Sequence, residues 1–250
     1  MLELIGLGLA AGVIPVYLGI ATAMLIRRTI SRSWESALIG VATGVLVFLF
    51  FDLMHESEEL TGARDPLSWV VFLGSLFLGF VVPALLEEQQ LGKSRRADRL
   101  LSLPYVIAAG IGLHNFGEGL AIGASYAHGE WTLSWLLVAG FALHNGTEGF
   151  GIVGAAGHAP ISMKDVFALG AIAALPTCLG TLLSGFTLSP YFTILWFALA
   201  AGSLLYVVCA LVATTYTATR KIFMVYGIWA GIALMFLTAK FLLVVGGLKS

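Results

Sequence analysis

Apolar residues in this chain come in long runs, and charged residues gather at the joints between them. Eight runs can be marked, at about 3–26, 35–56, 67–89, 103–126, 131–156, 165–187, 191–214 and 222–247. Each is long enough for the roughly 20 apolar residues that carry an α-helix across a bilayer. The pattern predicts an all-α integral membrane protein, with residues 1–250 forming one polytopic domain of eight transmembrane helices joined by short connections. The first run is expected to be a retained membrane helix and not a signal peptide. Glu3 stands where a basic n-region would be, Arg27 and Arg28 follow the run, and it exceeds the usual apolar core of a signal.

Glycine spacing suggests how the helices meet. Several of the 30 glycines cluster at Gly110, Gly112, Gly117, Gly119 and Gly123, then at Gly146, Gly149, Gly151, Gly154 and Gly157. Small residues at such spacings let helix backbones approach closely. Helices 4 and 5 are therefore expected to be central and in contact, with helices 1–3 and 6–8 on either side. Such a 3+2+3 arrangement would suit the inverted repeats of many transporters.

Composition sharpens the class. The chain is 59% hydrophobic and 11% charged, with mean hydropathy +0.96. Soluble domains carry about 25% charged residues, so lipid and not water is the expected solvent. The net charge of −1 matters less than where the charges lie. Ten of the thirteen Lys and Arg fall in alternate connections: Arg27, Arg28 and Arg32; Lys93, Arg95, Arg96 and Arg99; Lys164; Arg220 and Lys221. The intervening connections are acidic or neutral, with Glu56, Glu58, Glu59 and Asp65 in one and His128 and Glu130 in another. Positive-inside sidedness then predicts a multi-pass plasma-membrane protein with both termini extracytoplasmic. No nucleic-acid signal is present. Cys178 and Cys209 sit in separate apolar runs and read as small unpaired hydrophobes.

The chemistry lies in a motif that occurs twice. Residues 113–119 read L-H-N-F-G-E-G and residues 143–149 read L-H-N-G-T-E-G. On a helix, i and i+4 share a face, so His114 and Glu118, and likewise His144 and Glu148, stand one above the other, flanked by Asn115 and Asn145. Facing lipid, these six side chains would cost on the order of 10 kcal/mol, taking about 2.5–3.5 kcal/mol for each central acid. They must face one another, water or an ion. One copy would serve as polar glue between helices. Two copies, with two imidazoles and two carboxylates, form a reasonable ligand set for zinc or another first-row dication. A dication would also cancel the repulsion between the acids.

The run H-N-F-G-E-G-L-A-I-G followed by H-N-G-T-E-G resembles helices 4 and 5 of the ZIP family of divalent metal transporters. Eight helices, outside termini and a basic connection between helices 3 and 4 agree with it along the whole chain. The resemblance implies uptake of zinc, iron, manganese or cadmium toward the cytoplasm, with the metal as transported substrate and no prosthetic group. It also implies a principal site of His114, Glu118, His144 and Glu148, with Asn115 and Asn145 beside it where relatives hold a second metal. Departures from the family pattern are visible. Gly117 and Thr147 replace the usual proline of H-N-x-P-E-G. Leu175 precedes Pro176 where an acid is common, Asn145 stands where an acid is frequent, and Ala210 falls where helix 7 often carries one. A single principal metal, with the second weak or absent, is the expectation.

Asp52, His55 and Glu56 close helix 2 as a candidate entrance that would concentrate cations, against the plainer reading of a solvated helix end. His158 is a candidate exit ligand or an ordinary interfacial histidine. Lys240 lies near a helix end and is expected to snorkel to the interface. Expected partners are a divalent metal ion and the lipid bilayer, with a homodimer as a candidate assembly and no nucleic acid. Two other classes compete with transport: an intramembrane zinc-dependent hydrolase, since catalytic zinc keeps three ligands and an open position, and a metal-sensing receptor without transport. The expectation is a carrier and not an enzyme.

Overall fold

The structure, a computed structural model, describes residues 1–91, 96–157, 159–184, 189–216 and 221–246. Among these residues every regular element is a helix, and eight are present: α1 (Leu2–Ile26), α2 (Arg32–Glu59), α3 (Pro66–Leu91), α4 (Arg96–Ala127), α5 (Trp131–Ala155), α6 (Met163–Leu183), α7 (Pro190–Thr215) and α8 (Lys221–Gly246). They coincide with the eight apolar runs, and the largest departure is α4, which starts at Arg96 and not near 103. Six of the eight (α1, α2, α3, α6, α7 and α8) are long and apolar enough to cross a membrane. The other two, α4 and α5, are the helices that bury the His, Asn and Glu residues of the repeated motif.

Local chemistry sets the helix ends. The Ser31 and Ser189 hydroxyls accept from the Trp34 and Phe192 amides at the starts of α2 and α7. Ser162 and Asp165 form a reciprocal capping box at the start of α6. Gly129 adopts φ 77°, a conformation that a side chain disfavours, and this lets α4 reverse into α5 within three residues.

Close approach of helix backbones at small residues decides which helices pair. The most extensive pairings are α1 with α5, α4 with α6, α2 with α8, and α3 with α7. Each is closed by glycines facing the partner's backbone. A Cβ at Gly119 would strike the Thr177 carbonyl, and one at Gly180 the Phe116 carbonyl. Gly19 and Gly149 cross in the same way between α1 and α5, Gly44 and Gly231 between α2 and α8, and Gly79 and Gly202 between α3 and α7. The helices thus gather into two groups of four: α1, α4, α5 and α6, and α2, α3, α7 and α8. Helices α4 and α5 do touch, and α4 also packs on α7 and α5 on α2, which joins the groups. A buried cluster including Ile20, Leu46, Ile107, Ile152 and Leu204 fills the seam.

Polar ties hold the two ends of the bundle. At one end the Tyr126 hydroxyl donates to Glu3, the Ser125 and Ser134 hydroxyls pair at 2.8 Å, and Tyr191 donates to Asp65 at 2.9 Å. At the other end Arg27 donates to the Ala159 carbonyl at 2.9 Å, Tyr105 to Asp165 at 2.9 Å, and Tyr206 to Glu87. Arg27, Arg28, Arg32, Lys164 and Lys221 all belong to this second, basic end, and Glu3, Glu58, Glu59, Asp65 and Glu130 to the first.

Candidate metal centre

Two proline-weakened helices and two glycine-rich ones converge on one buried polar knot. His114, Asn115, Glu118, His144, Asn145 and Glu148 are each at most 4% exposed. The i, i+4 spacing places His114 Nε2 3.2 Å from Glu118 Oε1. His144 Nε2 reaches across from α5 to the same Glu118 oxygen. The two imidazole centroids are 6.0 Å apart, and the Phe141 ring lies against His144 at 5.7 Å.

The asparagines brace this knot crosswise. Asn115 Nδ2 donates to Glu148 Oε2 and to the Ala173 carbonyl of α6, both at 3.0 Å. Asn145 Nδ2 donates to Glu118 Oε2 and to the Ala11 carbonyl of α1, both at 2.9 Å. Each asparagine thus ties the carboxylate of the opposite motif to a flanking helix. Proline explains why α1 leaves the Ala11 carbonyl free to accept. Pro15 lacks the N–H that would serve Ala11 four residues back, and a π-helical stretch at Leu9–Val13 loosens α1 there. In α6 the carbonyl that Pro176 deprives of its ladder donor is that of Ile172, one residue before the Ala173 carbonyl that Asn115 reaches.

What remains unpaired includes atoms of the kinds that can ligate a metal. Buried without a hydrogen-bond partner are His114 Nδ1 and Nε2, His144 Nδ1, Asn115 Oδ1, Asn145 Oδ1, Glu148 Oε1 and Thr177 Oγ1. His114 Nε2 is near Glu118 but not aligned for a hydrogen bond. A buried unsatisfied polar atom costs about 1–3 kcal/mol, so the cluster as it stands is expensive and a cation would relieve it. Ligand atoms of His114, His144 and Glu148 lie within 4.8 Å of one another. Tetrahedral donors around zinc are about 3.4 Å apart at bond lengths near 2.1 Å, so a small side-chain rotation brings the three into contact with one ion. Glu118, between the imidazoles, is the fourth donor at hand.

A cavity of about 240 Å³ joins the centre to the acidic end of the bundle. His114, Glu118 and His144 line its inner part, Asp52 and Glu56 its outer part, and Phe48, Phe141, Phe197 and Met235 are among its apolar walls. Of the three candidate entrance residues, Asp52 and Glu56 therefore share a space with the centre. His55 does not: it is exposed and pairs with Glu59 at 3.3 Å. His158 lies outside the described residues, as do Lys93, Arg95 and Arg220. Lys240 is exposed, with its ammonium 5.7 Å from the centroid of the Phe236 ring. Cys178 and Cys209 are both free thiols.

Three features of the centre carry no motif signal. The Ala11 and Ala173 carbonyls are backbone, and any residue supplies one. The Thr177 hydroxyl, wedged where a Cβ on Gly12 would sit, reads in sequence as a routine small residue of α6. Leu175 bears on the second site. It is 48% exposed, whereas Ala174 and Thr177 pack toward Gly12 of α1, so position 175 turns away from the cluster. No family model matches the chain, and no curated protein matches it significantly.

Proposed function

We propose that this protein is a carrier that moves a divalent first-row cation, zinc foremost, across a membrane through the buried centre between α4 and α5. One observation carries the reading: two imidazoles and two carboxylates from paired H-N-x-x-E motifs converge in the buried interior, with both His114 nitrogens, His144 Nδ1 and Glu148 Oε1 left unpaired. The likeness of those motifs to helices 4 and 5 of ZIP transporters supports the same assignment. Four strong donors suit one principal ion, and the cavity leading to Asp52 and Glu56 supplies a path to it from the acidic end.

The finer architecture follows from the same reading. All eight helices cross the membrane. The 3+2+3 division is one of chain order (α1–α3, the motif pair α4 and α5, then α6–α8), while in space they gather as the two groups of four. The pairings α1·α5 with α4·α6, and α2·α8 with α3·α7, are unchanged when α1–α3 exchange with α6–α8 and α4 with α5, which is what an inverted repeat requires. Clustering of the basic residues at one end favours a plasma-membrane protein with that end cytoplasmic and both termini outside.

The donor set of His114, His144 and Glu148 also matches that of hydrolytic zinc sites, so the test must read movement and not binding. Purified protein in sealed proteoliposomes should accumulate zinc, and His144→Ala should abolish accumulation while the helical spectrum is retained. Stoichiometric zinc binding with no flux would refute the carrier and favour a receptor or hydrolase.

A further inference from the structure

A second, larger cleft has no part in the metal path. It holds about 620 Å³ between α3 and α4, with α7 behind it. Its apolar walls include Leu78, Val82 and Leu86 on α3 and Val106, Ala109 and Leu113 on α4. Its polar lining residues, Ser102, Tyr105 and Asp165, all lie at the basic end, where the Tyr105 hydroxyl donates to Asp165. The cleft is therefore polar at one end and hydrocarbon for the rest of its length.

Its dimensions select the occupant. From Ser102 to Leu113 the cleft follows α4 for about 16 Å at 1.5 Å per residue. Half the hydrocarbon thickness of a bilayer is about 15 Å. Spread over that length, the volume gives a cross-section near 40 Å², about half that of a helix ~10 Å across. A helix from a second copy or a partner does not fit; a hydrocarbon chain does. Lys164, exposed beside Asp165, adds a cation at the level of a phosphate.

We propose that the cleft is a binding site for one phospholipid of the leaflet at the basic end. An acyl chain lies along α4, with the ester region at Tyr105 and the phosphate at Lys164. Because α3 and α7 belong to one helix group and α4 to the other, the lipid fills the gap between the groups.

Native mass spectrometry of the full chain, released from detergent that strips bulk lipid, tests this. One phospholipid mass should stay with each wild-type chain. Ala109→Trp places an indole in the cleft from an exposed position and should lower that occupancy about tenfold, which is about 1.4 kcal/mol. Leu86→Trp, from the opposite wall, should do the same, so that misfolding of one variant leaves the other to decide. Absence of the phospholipid adduct, equal adducts in wild type and both variants, a fatty-acid or detergent mass in its place, or a second copy that displaces it would each overturn the proposal. None of these readouts needs the centre between α4 and α5 to bind or move metal.

Discussion

Asn145→Ala tests the cross-brace directly. Asn145 is fully buried, and its amide nitrogen serves two acceptors at 2.9 Å, Glu118 Oε2 and the Ala11 carbonyl. Truncation orphans both acceptors, at about 1–3 kcal/mol each, so the variant should lose about 2–6 kcal/mol against a total stability of about 5–15 kcal/mol. Glu118 would also lose the partner that orients it toward the imidazoles. Outer partners of this kind are worth about 10–100-fold in metal affinity, and zinc binding should weaken within that range. Pro15 makes the two roles separable. Pro15→Ala restores an N–H that can take the Ala11 carbonyl into the helix ladder, so the double variant should be more stable than the sum of the single changes predicts, by about 1 kcal/mol. Its zinc affinity should stay low, because Glu118 still lacks its donor. Thermal unfolding in detergent reads the first quantity and isothermal titration with zinc the second. Additive stabilities, or a double variant that regains zinc affinity, would refute the assignment of one amide hydrogen to each acceptor.

The remaining predictions are simpler. Gly149→Ala places a Cβ against the Gly19–Ile20 backbone and should lower the unfolding midpoint, whereas Gly74→Ala meets open space and should gain about 0.8–1.0 kcal/mol of helix propensity. Asp52→Asn with Glu56→Gln should raise the zinc concentration for half-maximal flux, and His55→Ala should not, since only the first two line the cavity to the centre. Leu175→Glu should add no second bound metal by elemental analysis, because position 175 turns away from the cluster; two metals per chain would contradict the placement of α6.

Much of this molecule was legible without coordinates. Eight apolar runs became eight helices because a helix is the way a long apolar segment satisfies its backbone groups within itself, and the length of each run is read directly. The six motif residues were found for a related reason. Histidine, asparagine and glutamate in an apolar run are too costly to face lipid, and the i, i+4 spacing alone puts each pair on one face. The glycine clusters led to the expectation that helices 4 and 5 meet, and they do touch, but the clustered glycines themselves face other helices, α6 and α7 from α4 and chiefly α1 and α2 from α5. Glycine has no preferred partner, however, so they could not say that α6 and α1 would be the closest neighbours, with Gly180 and Gly19 supplying the answering faces.

What only the tertiary structure decided is how the two motifs relate to each other and to their surroundings. The crossing of Asn115 to Glu148 and of Asn145 to Glu118 depends on the relative rotation and height of two helices, and local sequence encodes neither. The Ala11 carbonyl gained a role because Pro15 leaves it without a ladder donor, and the Ala173 carbonyl because packing of α6 on α4 brings it to Asn115. His55 and Asp52 look equivalent in sequence, yet one helical face opens onto the cavity and the other onto the surroundings. Composition and period specify what a segment must bury; which partner it is buried against is fixed by packing among segments far apart in the chain.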